Sequence, residues 1–137
     1  MGPRAAARLA DGWEASFVTP GWLHDRCDEV AGMLADAGRA PGSLRVSVEL
    51  DAVLADSFHA AAASLARFHE RRGLHASHVV ARAVLAGDPT TVAEGIARYA
   101  AAGATDLTLG FADFPDTRML TLFTERVLPQ LARSDRC

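Results

Sequence analysis

The period of the hydrophobic positions changes along the chain, and each change marks a new element. Residues 4–10, rich in Ala, Arg and Leu, predict a helix that Asp11-Gly12 stops. Trp13 to Val18 predicts a short strand. Thr19-Pro20 then opens a helix, with Thr19 as N-cap and proline at the first helical position. Its apolar stripe is Leu23, Cys27, Val30, Leu34 and Ala37, and Gly38 ends it. Ala40-Pro-Gly-Ser43 is a turn. Leu44 to Leu50 alternates with period two: Leu44, Val46, Val48 and Leu50 share one face, and Arg45, Ser47 and Glu49 the other. A helix from about Ala55 to Arg72 carries Phe58, Ala61, Leu65 and Phe68, and Gly73 closes it. Residues 74–86 are ambiguous, and His75 to Leu85 reads as a second short helix over the sheet edge. Asp88 caps a helix with Pro89 first and Val92, Ile96 and Tyr99 on its buried face, ending at Gly103. Asp106 to Phe111 is the last strand. A final helix from about Thr117 presents Leu120, Phe123, Val127 and Leu131, with Pro129 kinking or ending it.

Strands separated by helices imply a parallel sheet built of βαβ units. A parallel strand buried on both faces should be apolar throughout. The two clearer strands instead have one mostly polar face, which favours a barrel around a wet interior over a doubly wound sheet. Three strands are about one-third of what a closed barrel needs, and such a barrel takes roughly 250 residues. No repeat, low-complexity tract or linker divides the chain, so residues 1–137 are expected to form one unit.

Composition narrows the function. Half the residues are hydrophobic and 23% are charged, which excludes a disordered chain. Net charge is −3 and every basic residue is arginine, without a basic cluster of the size that nucleic acid requires. No run of eighteen apolar residues exists, and the first residues lack a secretory apolar core. Cys27 and Cys137 lie far apart and predict no disulfide, so the expected compartment is the cytoplasm.

Five pieces carry a family resemblance through their order and spacing. They are Asp11-Gly12-Trp13 after an Ala-rich helix, Arg45 to Leu50, Gly87-Asp88-Pro89-Thr90-Thr91, Gly103 to Leu109, and Val127-Leu128-Pro129. Together they resemble the C-terminal part of the luciferase-like flavin- or F420-dependent oxidoreductases and monooxygenases. Asp88 stands where the family has threonine, and Thr90-Thr91 where it has acidic residues; a capping oxygen is kept. The resemblance implies part of a (β/α)8 TIM barrel, about three parallel strands with flanking helices. It implies FMN or F420 as cofactor, or none bound by this chain alone. It also implies that the family's glycine-rich phosphate loop and early strands fall before Met1, so no phosphate or catalytic residue is carried over.

Four residues are candidates for cofactor contact on that resemblance. Glu49 lies toward the C-terminal end of its strand, where barrel active sites sit; the alternative is an exposed, salt-bridged strand. Gly110 would let a ring or phosphate approach the backbone; the alternative is a plain turn. Trp13 and Phe17 would stack on the isoalloxazine; the alternative is core packing. His75-x-x-His78 has helical ligand spacing but no Glu or Cys at a supporting interval, and no metal is expected. The reading is the C-terminal portion of a luciferase-like oxidoreductase, inactive alone. The alternatives are a non-catalytic remnant that self-associates, half of a split enzyme completed by an N-terminal barrel half, or a small two-layer binding domain.

Overall fold

The computed structural model describes residues 2–75 and 77–134; Cys137 lies outside the described residues. The strands are β1 (Gly12–Ser16), β2 (Arg45–Leu54), β3 (Leu85–Gly87) and β4 (Asp106–Phe111). The helices are α1 (Pro3–Leu9), α2 (Pro20–Asp36), α3 (Phe58–Arg72), α4 (Val79–Arg82), α5 (Pro89–Ala101), α6 (Arg118–Leu122) and α7 (Leu128–Ser134). A π-helical turn, Phe123–Val127, joins the last two. All four strands are parallel, and the architecture is a partial TIM-barrel α/β fold.

β2 is the axis of the sheet. Its backbone groups divide by parity between its two edges. The Arg45 N–H donates to Asp11, the Glu49 carbonyl accepts from Phe17, and the Ala55 N–H donates to Gly87, so odd positions serve β1 and then β3. The Val46 and Ala52 carbonyls accept from Thr105 and Ala112, so even positions serve β4. β1 and β3 therefore follow one another along one edge of β2, and β4 takes the other. Among the described residues, β4 pairs with β2 and with no other strand.

Side chains divide by the same parity. Val46, Val48, Leu50 and Ala52 are buried at 7% exposure or less, with Trp13 and Ala15 beside them. This apolar face meets Leu23, Val30 and Leu34 of α2 and Tyr99 of α5 in one core. A second cluster joins Leu54, Val92, Ala93 and Val127. The helix ends follow their sequences. Thr19, Ser57 and Asp88 accept from the N–H groups of Trp22, Ala60 and Thr91. Arg39 Nη1 donates to the Ala6, Ala7 and Ala10 carbonyls at the C-terminal end of α1, where the helix leaves carbonyls short of partners.

Several boundaries move from the sequence expectation. α2 ends at Asp36, leaving Ala37 as an exposed C-cap. β2 continues to Leu54, so α3 starts at Phe58 after the Ser57 cap, and Phe58 is 70% exposed. The segment expected as a helix over His75 to Leu85 holds only α4. His78 caps it, and Leu85–Gly87 form a fourth strand too short to show a period. α3 also crosses the rim of the sheet, touching β2 and β3 rather than joining α2 and α5. Pro129 does not end the last helix. The π turn just before it widens the ladder at the point where proline removes a donor.

Gly103 shows how tightly the αβ step is fixed. Its φ is 105°, and a Cβ there would sit 2.9 Å from Cys27 Sγ. Gly103→Val should destabilise the fold by about 2 kcal/mol or more. Adding Cys27→Ala should recover the steric part only. Thermal melting checks this, and an unchanged midpoint for the single variant would contradict it.

Candidate functional site

The second face of the sheet is open and polar. Register places Glu14 beside Ser47, and Ser16, Glu49 and Thr108 in one row, with Asp51 and Gly110 paired above them. Ser16 Oγ donates to Glu49 Oε2 at 3.1 Å, so the row is already connected. At the N-terminal end Arg45 makes two bonds to Asp106, through Nε–Oδ2 at 3.2 Å and Nη2–Oδ1. These bonds hold the Asp106 carboxyl below the usual carboxylate range, and Thr105 Oγ1 at 2.8 Å adds to the effect. The face thus has an ion-paired floor and a polar middle.

α3 supplies the upper boundary. Arg72 reaches toward Asp51, with Nη2 3.7 Å from Oδ2, and its guanidinium lies over the Phe68 ring, 5.5 Å from the centroid. Asp51 Oδ2 is buried without a hydrogen-bond partner. Burial pushes the Asp51 carboxyl up, Arg72 draws it back down, and Glu49 adds a rise from like charge. Gly110 matters here for space: a Cβ would come 3.4 Å from Asp51 Oδ1.

The β1–α2 turn is strained at the same rim. Phe17 has φ 54°, a left-handed conformation that costs about 1–2 kcal/mol for a non-glycine residue. Its neighbours hold it there. The Phe17 N–H donates to the Glu49 carbonyl at 2.9 Å, and the Val18 carbonyl accepts from Tyr99 Oη at 2.8 Å. Burial pushes the Tyr99 phenol up to about 12, so it stays a donor at neutral pH.

The structure separates the four sequence candidates. Glu49 and Gly110 share the open face, one register step apart. Trp13 lies on the opposite face at 9% exposure, tilted against Trp22 at 6.2 Å. Phe17 is half-buried and packs against the same core. Asp51 and Arg72 escaped the sequence reading. Asp51 continues the period-two polar face one step beyond Glu49, and that was the available signal; α3's path over the rim left none.

The helix termini bear on what this portion can hold. The N-termini of α2, α3 and α5 are occupied by their own caps, and the α5 cap is the anionic Asp88. The open face fits one wall of a ring-binding site, but these termini offer no free backbone cradle for a phosphate. The histidines bond locally: His75 Nδ1 meets Ser77 Oγ at 2.7 Å, and His78 Nδ1 accepts from Val80. Among the described residues, no three His, Cys, Asp or Glu are grouped to hold a metal ion. Among them also, no helix is long and apolar enough to cross a membrane.

Comparison with known structures follows from this geometry. The chain resembles the F420-dependent tetrahydromethanopterin reductase of Methanopyrus kandleri, with TM-score 0.68 and 18% identity over 95% of this chain and 49% of that one. It resembles the EDTA monooxygenase EmoA of Chelativorans sp. BNC1, with TM-score 0.74 and 16% identity over 96% and 42%. It also resembles the riboflavin lyase RcaE, solved with modified FMN and riboflavin, with TM-score 0.73 and 17% identity over 97% and 41%. The fold is that of the luciferase-like flavin- and F420-dependent enzymes, and the chain spans less than half the length of these structures. No protein-family model matches the chain, and no curated protein matches it in sequence.

Asp51 yields a pH prediction. Its carboxyl titrates above the usual value in the fold, so the neutral form is the stabilising one. Stability from this group is present below the usual carboxylate pKa and declines as pH rises through the raised value. Asp51→Asn should therefore melt higher than the parent at pH 7, with the difference vanishing near pH 3. An Asn variant that melts lower at pH 7 would show that the Arg72 pairing outweighs burial.

Proposed function

We propose that this chain is the C-terminal portion of a luciferase-like flavin- or F420-dependent oxidoreductase or monooxygenase. It forms one wall of the cofactor and substrate chamber and does not turn over alone. The observation that carries this is the polar row Ser16, Glu49 and Thr108, with Ser16 bonded to Glu49, on the open face of a parallel sheet whose solved likenesses are F420 and flavin enzymes. When bound, such a cofactor would supply the hydride or oxygen chemistry. This chain would supply orientation. Glu49, fixed by Ser16, would accept a hydrogen bond from the ring edge or substrate. Gly110 would leave room for a flat group, and Phe17 would shape the rim. The buried side of Trp13 supports a packing role for that residue.

A partner is part of the proposal. β4 pairs on one edge only. Beside it lies an apolar groove of about 550 Å³ whose walls include Leu107, Leu109, Phe111, Leu120 and Leu128. An unpaired parallel edge beside uncovered apolar surface is what an interrupted barrel presents. We take the occupant to be the N-terminal barrel half, in preference to a second copy of this chain. The open face carries Glu14, Glu49, Asp51 and Asp106 against Arg45 and Arg72, and two such faces would repel. A cytoplasmic setting is part of the same proposal, on the wide separation of Cys27 and Cys137 in the sequence.

Alone, the chain should bind FMN or F420 no more tightly than about 10 μM, because one wall of a site leaves most of the ligand in water. Fluorescence titration measures this, and a sub-micromolar one-to-one complex would contradict it. Assembled with a front portion such as that of EmoA, it should retain cofactor. In that assembly Glu49→Ala should lower turnover about tenfold or more. An assembly that forms but takes up neither FMN nor F420 would overturn the functional reading.

A further inference from the structure

A second feature stands at the C-terminal end of β4, away from the Glu49 row. The loop after that strand, the C-terminal half of α3 and the start of α6 enclose a hollow of about 340 Å³. Arg67, Arg71 and Arg118 line it with Ser64 and Phe114. In a chain of net charge −3, three guanidiniums here outnumber the one carboxylate, Asp113, that lines the hollow with them.

The geometry leaves that charge available. Ser64, Arg67 and Arg71 are spaced i, i+3 and i+7, so α3 presents them as one stripe. Arg67 Nη2 donates to Ser64 Oγ at 3.0 Å, and Arg71 Nη2 donates to the Ala112 carbonyl at 3.2 Å. Both anchors are neutral: they steady the guanidiniums without cancelling their charge. Arg118 is the exception, tied through Nε to Asp116 at 2.7 Å. Asp113 also lines the hollow. Its Oδ2 accepts from the Met119 N–H at 2.9 Å, and Oδ1 is buried without a hydrogen-bond partner. Phe114 is 85% exposed at the edge of the same hollow, a large apolar ring with little to cover it.

We infer that this hollow binds the phosphate of a phosphomonoester through Arg67 and Arg71, with a flat ring of the same ligand against Phe114. Guanidiniums pair with phosphate through parallel N–H bonds, each keeps several donors beyond its one internal bond, and aromatic faces recognise flat ligands. The placement suits a ligand-bearing barrel, whose chemistry sits at the C-terminal ends of strands. The inference rests on the functional reading only in its choice of ligand. It adds to that reading a candidate anion site separate from the ring contacts proposed at Glu49 and Gly110.

The test is binding to the 137-residue chain with three probes: FMN, riboflavin and inorganic phosphate. FMN should bind at least about tenfold more tightly than riboflavin, since only FMN carries the phosphate. Arg67→Gln with Arg71→Gln should remove that preference and weaken inorganic phosphate about tenfold. Arg4→Gln with Arg8→Gln changes net charge equally at a distant surface and should leave both values in place. Phe114→Ala should weaken FMN and spare inorganic phosphate. The inference is overturned if FMN and riboflavin bind alike, if neither FMN nor phosphate binds, or if the two double variants behave alike. Loss of FMN affinity in Glu49→Ala, with no effect of the Arg67 and Arg71 changes, would sink this site and leave the functional reading standing.

Discussion

The structure depends on the pairing of β2 along both of its edges. One ten-residue strand hydrogen-bonds β1 and β3 on one side and β4 on the other. Because its side chains alternate, that pairing also assigns the faces. Even positions go to the helices, and the odd positions from Arg45 to Asp51 go to a surface that this portion leaves open, while Val53 beyond them is buried. Shifting β2 by one residue would put Arg45, Ser47, Glu49 and Asp51 into the apolar core and Val46, Val48 and Leu50 into water. The cost of that exchange is what fixes the register.

The open face follows from the same constraint. A parallel strand with one polar side has use for that polarity only where water or a ligand reaches it. The face is organised along its length, from the Arg45–Asp106 floor through the Ser16–Glu49 bond to the Asp51–Arg72 contact under α3. A partly desolvated carboxylate, a strained Phe17 and a glycine at a point of close approach all lie toward its C-terminal end. That clustering is the basis of the proposed chamber wall.

Much of this was legible in the sequence, for identifiable reasons. Long elements carry strong periods: the α2 stripe of Leu23, Val30 and Leu34, the alternation of β2, and the Asp88-Pro89 start of α5 all recur in the structure. Caps were legible because Thr19 and Asp88 act on their own neighbours. β3 was not, since three residues cannot display a period. Phe58 failed as a core residue because the strand before it ran longer, which moved the helix start. The position of α3 across the rim, and with it the meeting of Arg72 with Asp51 and of Arg71 with Ala112, is a tertiary outcome that no local pattern encodes. Glu49 and Gly110 were singled out by face and by strand end, and the register puts both on the open face. Trp13 obeyed the ordinary rule that aromatics bury their area.

The central claim is that β2 is paired along both edges while β4 presents an open one, as in a portion of a larger barrel. Hydrogen exchange resolved by residue on the isolated chain tests it most directly. The account predicts slow exchange throughout β2. In β4 it predicts alternation, with the amides of Thr108 and Gly110, which face β2, slow, and those of Leu107 and Leu109 on the outer edge fast. Uniform protection along β4 in a monomer, or rapid exchange within β2, would contradict it.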